Sequence, residues 1–135
     1  MDIKKLIRRV RARVCGHKLV VVAVQSNQVL VLDQDKNVGC LEGEVPHEFM
    51  KLNTVVWALA NDEKVLEKIT PGSYKNKDCR AKVLYYDKKR QMWLVLMMYD
   101  GCLAFLDAVE KRYHPGDTAV FDFSGQKVSL PCFTV

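Results

Sequence analysis

The chain has 135 residues, 49% of them hydrophobic and 27% charged, which suits one ordinary buried interior and excludes a disordered chain. No apolar run reaches the roughly 18 residues needed to span a bilayer, and the charged N-terminus lacks the apolar stretch of a signal peptide. The net charge of +5 is concentrated at one end: residues 1–18 hold seven Lys/Arg against one acid, while the rest holds fourteen against fifteen, so attraction to phosphate or acidic surfaces is expected mainly there.

Asp2 is placed to cap a short N-terminal helix over residues 1–10, because its carboxylate accepts from the free N–H groups of a first turn. Ile3, Leu6, Ile7 and Val10, extended by Val14, recur at helical spacing. Lys4, Lys5, Arg8 and Arg9 fall elsewhere on that surface, and Arg11 and Arg13 follow. Two readings stand: a helix docking its apolar stripe on the body with its bases solvated, or a basic arm for nucleic acid or another anionic surface. Bases this early oppose the helix dipole, so the helix needs packing or a partner.

Residues 18–24 and 28–33 read as an apolar β-hairpin turning at Gln25-Ser26-Asn27. Asn61-Asp62-Glu63 suits the start of a short linking helix, with Val65, Leu66 and Ile69 as its buried edge and Thr70-Pro71-Gly72 as its end. The polar stretch 74–78 divides a first β half (11–72) from a second (73–135). In the second, a strand over 78–86 and a charged turn at Asp87-Lys88-Lys89-Arg90 lead into the main hairpin, Met92–Tyr99 and Cys102–Asp107. Asp100-Gly101 between two apolar runs predicts a two-residue type I′ turn. That turn pairs Tyr99 with Cys102, Met97 with Ala104 and Val95 with Leu106. Both hairpin faces are then apolar, so the ribbon is sandwiched or one side is a contact surface. Pro115-Gly116-Asp117 turns into a strand over 118–123. Gly125-Gln126 reads as a tight turn before a last strand, 127–130, which Pro131 confines to an edge.

The two hairpins resemble one another when Leu19 is laid on Trp93, Val22 on Leu96 and Asn27 on Gly101. Arg11-Ala12-Arg13-Val14 then echoes Arg80-Ala81-Lys82-Val83, and Thr54-Val55-Val56-Trp57 echoes Thr118-Ala119-Val120-Phe121, which suggests an internal duplication. About nine short strands are counted. The expected fold is mainly β: small barrels of the SH3-like/Tudor or OB-like kind, with an internal duplication and with one N-terminal and one linking short helix.

One stretch resembles a known family. Arg11-Ala12-Arg13-Val14, the strand Val29–Asp33 with Gln34-Asp35-Lys36-Asn37, the run Pro46-His47-Glu48-Phe49-Met50-Lys51-Leu52 and the apolar strand Val55–Ala60 resemble the layout of an extended Tudor domain over about fifty residues. Such domains show an Arg-Ala-x-Val strand, a strand ending in Asp-Tyr-Gly-Asn and a Pro-x-x-Phe-x-x-Leu-Pro run. Here Gln34 stands where the family has Tyr, Asp35 where it has Gly, and Asn53 where it has the last Pro. The resemblance implies a Tudor-like protein-interaction adaptor, of a kind common in RNA-associated assemblies, without the aromatic cage that holds methylated arginine.

Trp93, Met97, Tyr99, Phe105 and Tyr86 are the candidate partner-binding residues, since aromatic rings attract methylated cations or stack on bases; the alternative is that they fill a barrel core. Lys4, Lys5, Arg8, Arg9, Arg11, Arg13, Lys88, Lys89 and Arg90, on the N-terminus and the Lys75–Arg90 rim, are the candidate contacts of an alternative OB-like nucleic-acid binder. Cys15 with His17, or Cys40 with His47, lacks the paired spacing of a zinc site, and no phosphate loop or nucleophile motif is present. No catalytic residue, metal or cofactor is therefore expected. Five cysteines without a CxxC pair point to reduced thiols in the cytoplasm or nucleus. The expectation is a non-enzymatic interaction module with a protein partner or peptide, with nucleic acid as the alternative and self-association open.

Overall fold

Alternating inward and outward side chains build eight strands: β1 (His17–Gln25), β2 (Gln28–Leu32), β3 (Val38–Glu42), β4 (Val55–Pro71), β5 (Arg80–Asp87), β6 (Met92–Met97), β7 (Leu103–Leu106) and β8 (Thr118–Thr134), with one 3-10 turn at His47–Phe49. The computed structural model describes residues 2–4, 6–7, 10–11, 16–73, 79–109 and 113–135. The chain divides into two units, Met1–Lys64 with Leu130–Val135, and Val65–Ser129. The division falls inside the two 17-residue strands β4 and β8, so each unit takes the start of one long strand and the end of the other.

In the first unit β1 lies antiparallel to β2 and to the start of β4, β2 antiparallel to β3, and β3 parallel to the end of β8 with Cys40 opposite Cys132. In the second, β5 lies antiparallel to β6 and to the start of β8, β6 antiparallel to β7, and β7 parallel to the end of β4 with Phe105 opposite Lys68. Since β8 and β4 are also hydrogen-bonded neighbours, each set of five strands closes into a ring, which leaves few free strand edges. The first unit's core is Leu19, Val21, Val29, Val31, Leu41, Val56, Ala58 and Phe133. The second unit's core includes Ile69, Val83, Trp93, Val95, Met97, Leu106 and Phe121.

The two units share a distinctive pair of backbone hydrogen bonds. The Val21 N–H donates to Thr54 O and the Asn53 N–H to Val21 O; the Val83 N–H donates to Asp117 O and the Gly116 N–H to Val83 O. Asn53 and Gly116 both have positive φ, at 66° and 94°. Both hairpins bulge just after the matched valine, between Val21 and Ala23 and between Val83 and Tyr85. The duplication is therefore present, in a different frame from the sequence alignment: β1 matches β5 and β2 matches β6, so Val29, not Leu19, corresponds to Trp93. Arg80–Val83 corresponds to Lys18–Val21, and Val55, not Thr54, to Thr118. Apolar hairpins resemble each other in several frames, and only hydrogen-bond register separates them.

Several local expectations are corrected. The type I′ turn, with two residues at positive φ, occurs at Ser26 (47°) and Asn27 (67°). At the main hairpin only Gly101 has positive φ, and the loop is four residues long, 98–101, closed by the Met97 N–H on Cys102 O and the Gly101 N–H on Met97 O. Val95 therefore pairs with Ala104 and Trp93 with Leu106. The shift is two residues, which preserves which side chains share a face. The linking helix over 61–69 is instead the middle of β4, where strand pairing outweighs helix-compatible spacing. Gly125 is no turn: with φ of 76° it sits within β8 as a bend, where the lost side chain relieves a conformation that L residues resist. The last strand is not an edge over 127–130: β8 runs through Pro131 to Thr134 and lies between β3 and β4. Of the expected Arg-Ala-x-Val strand over residues 11–14, Arg11 is helical and residues 12–14 lie outside the described residues, as does the divide between halves at residues 74–78.

Candidate functional site

The N-terminal helix begins as the sequence implies. The Asp2 carboxylate accepts the Lys4 N–H at 3.0 Å, and the Leu6 N–H donates to Asp2 O at 3.1 Å, so Asp2 satisfies donors that a first turn otherwise leaves open. Residues 3, 4, 6, 7, 10 and 11 are helical. The apolar stripe is not docked: Ile3, Leu6, Ile7 and Val10 are 72%, 46%, 60% and 57% exposed. Lys4 and Arg11 lie on the same helix and are exposed; Lys5, Arg8, Arg9 and Arg13 are outside the described residues. An isolated helix this short is marginal in water, because nucleation costs more than a few turns return. The described part of this one leaves Ile3, Leu6, Ile7 and Val10 in water.

The five candidate residues of the main hairpin divide by depth. Trp93, Met97 and Phe105 are buried, so the apolar surface expected there is interior on both faces. Tyr86 is half-buried with its ring edge-on to Trp93 at 5.3 Å. Tyr99 is exposed, together with Met98, because the four-residue loop carries both beyond the last core position. Trp93 also holds a buried indole N–H without a hydrogen-bond partner. Replacing Trp93 by Phe removes that unpaired donor along with volume. The expected stability loss is about 1 kcal/mol, against about 3–5 kcal/mol for Trp93→Ala, measured by denaturant unfolding; equal losses would contradict this placement.

The basic rim is partly spent inside the second unit. Asp87 is buried and accepts the Arg90 guanidinium at 2.9 Å as well as the backbone N–H groups of Lys89 and Arg90. The same guanidinium donates to Ser129 O at 3.0 Å and lies over the Phe105 ring at 5.1 Å. Lys88 is exposed; Lys89 is tied to Asp87 through its backbone. Arg90 is thus a structural clamp holding the charged turn, not an open phosphate contact.

In the first unit a half-open cleft of about 220 Å³ lies between Gly16, His17 and Lys18 at the start of β1, Asp33, Gln34 and Asp35 after β2, and Trp57 on β4. Gln34, the residue standing where the Tudor pattern has an aromatic, lines it beside Trp57. Asp33 is engaged within its turn, accepting the N–H groups of Asp35 and Asn37.

A second cluster in this unit escaped the sequence reading. Cys40 and Cys132 are buried and face each other across β3 and β8 with sulfurs 3.5 Å apart. Glu42 Oε1 lies 3.3 Å from Cys40 Sγ, 3.7 Å from Cys132 Sγ and 2.7 Å from Lys64 Nζ. Burial, reinforced by the neighbouring sulfur, pushes the Cys40 thiol up, and burial does the same at Cys132. Burial alone would raise the Glu42 carboxyl, but the Lys64 ammonium and the thiol donors outweigh it and hold it below its ordinary value. Cys40 and Cys132 are separated by ninety-two positions, so spacing within one segment could not reveal them; parallel pairing of β3 with the chain's last strand does.

Among the described residues no helix is long and apolar enough to cross a membrane. Comparison with protein-family models, with curated proteins and with solved structures finds no match to this chain.

Proposed function

We propose that the protein is a non-enzymatic interaction module, Tudor-like or of a related small-barrel kind, that docks a partner protein. The exposed stripe of Ile3, Leu6, Ile7 and Val10 carries this reading. Apolar anchors at i, i+3, i+4 and i+7 are what a helix lays into a partner's groove. The bases interleaved with them favour a groove with an acidic rim, which steers association without supplying most of the affinity. The barrels then serve as the scaffold that presents the helix, and the main hairpin adds only its loop, Met98 and Tyr99. Cysteines without a disulfide at Cys40, Cys79 and Cys132 fit a reducing compartment, cytoplasm or nucleus.

Replacing Leu6 and Ile7 together by Ser should leave the unfolding transition in place, since neither supports a core, while a partner captured from cell extract is lost. Capture that is unchanged by the double substitution would refute the reading. The Lys/Arg concentration over residues 1–18 supports a second reading, single-stranded nucleic acid held by the same segment. It is separated by salt: phosphate contacts weaken steeply between low and moderate ionic strength, whereas an apolar helix in a groove does not. Retention of the partner after nuclease treatment and at raised salt favours protein; labelled oligonucleotide bound only at low salt favours the second reading.

A further inference from the structure

The geometry points to a metal site formed by Cys40, Cys132 and Glu42, suited to a thiophilic divalent ion of the zinc type with water in the fourth position. In a tetrahedral zinc centre with metal–sulfur distances of about 2.3 Å and metal–oxygen distances of about 2.0 Å, two sulfurs stand about 3.8 Å apart and sulfur and oxygen about 3.5 Å apart. The three donor atoms here are separated by 3.5, 3.3 and 3.7 Å, so the triangle is already of the right size. Strand register fixes the backbone positions of the two cysteines, and the Lys64 ion pair holds the Glu42 carboxylate. Cys40 and Glu42 are two residues apart on one face of β3, and Cys132 is the register partner of Cys40 on β8.

The surroundings balance the charge. Two thiolates and a carboxylate carry three negative charges, matched by a divalent ion together with the Lys64 ammonium, 2.7 Å from Glu42 Oε1. The Lys64 side chain on Glu42 is the kind of outer contact that orients a ligand. Metal binding itself displaces the thiol protons that burial otherwise retains.

The duplicated unit supplies an internal comparison. In the second unit the positions equivalent to Cys40, Cys132 and Glu42 are Phe105, Lys68 and Asp107, and there Lys68 and Asp107 form an ordinary ion pair at 3.3 Å. The same strand register is thus satisfied without sulfur, and the fold does not itself require a pair of thiols and a carboxylate at this place. The inference is independent of how the N-terminal helix is used.

The test is a titration of the reduced, metal-stripped 135-residue chain with Co²⁺, followed by displacement with Zn²⁺. One equivalent of Co²⁺ should produce sulfur-to-cobalt charge-transfer absorption and ligand-field bands of tetrahedral intensity, both erased by Zn²⁺. Cys40→Ser and Cys132→Ser should each weaken Zn²⁺ binding at least about 100-fold, and Lys64→Met, which touches only a ligand, about 10-fold. Cys79→Ser and Cys102→Ser should change nothing. Should either buried serine variant fail to fold, Glu42→Gln at the open side keeps the test alive, with weakened binding and altered ligand-field bands expected. Absence of the charge-transfer band in the wild type overturns the site. So does a band that survives in the Cys40 and Cys132 variants, and so does a Cys40–Cys132 disulfide whose reduction gives a protein that takes up no metal.

Discussion

Deleting residues 130–135 should unfold the first unit. These six residues belong to it in space although they end the chain. They bring the buried side chains of Leu130, Cys132 and Phe133 and the parallel partner of β3 at Cys40, Leu41 and Glu42. Truncating Phe133 alone to Ala is expected to cost about 3–5 kcal/mol, and loss of a buried Leu about 2–5 kcal/mol. Together these approach the entire stability of an ordinary domain, about 5–15 kcal/mol, before the exposed edge of β3 is counted. Hydrogen exchange should show β2 and β3 losing protection in the deletion variant. Full protection of both strands, with an unchanged melting temperature, would mean that β8 does not complete this ring.

Gly72→Ala should be the most damaging single-methyl addition in the second unit. A Cβ at this position would stand 2.5 Å from the Phe121 carbonyl carbon, 2.8 Å from its oxygen and 2.9 Å from the Asp122 nitrogen. All three obstacles are backbone, so no side chain can swing aside, and the Gly72 N–H to Val120 O bond at 2.7 Å fixes the approach. Overpacking commonly costs about 1–3 kcal/mol, and the rigid obstacle puts this substitution at about 3 kcal/mol. Gly39→Ala is a milder counterpart. Its Cβ meets Pro131 O at 2.7 Å, but its next neighbour is the Phe133 ring edge at 2.8 Å, and a ring can turn. Denaturant midpoints of the two variants give the ranking; a harmless Gly72→Ala would contradict the packing of residue 72 against β8.

The β-rich fold, the first hairpin and the Asp2 cap were legible because each rests on neighbours in sequence: alternation along β1 and β2, a turn at Ser26-Asn27, a carboxylate two residues before the N–H it accepts. Features that depend on distant partners were not. Asp100-Gly101 announced a two-residue turn, but Gly101 alone takes the positive φ, and the loop widens to place Met98 and Tyr99 outside. Residues 61–69 carry apolar positions compatible with either period, and pairing with other strands decided for β. Gly125 looked like a turn because a glycine bend within a 17-residue strand and a true reversal look alike in sequence. The duplication was visible but misframed, since matching hydrophobic ribbons say little about which strand pairs with which. At the candidate sites, sequence named the aromatic residues and left open whether Trp93 and Phe105 were core or surface. The Cys40, Cys132 and Glu42 cluster exists only once the chain's last strand is laid beside β3.

Placing a photoreactive phenylalanine analogue at Ile7 tests the docking reading most directly, with the same analogue at Glu63, an exposed site on β4, as control. Irradiation in cell extract should attach one discrete partner protein through position 7 and none through position 63, and Leu6→Ser in the same chain should abolish the adduct. No adduct at position 7, or equal labelling at both positions, would show that the exposed stripe is not a docking surface.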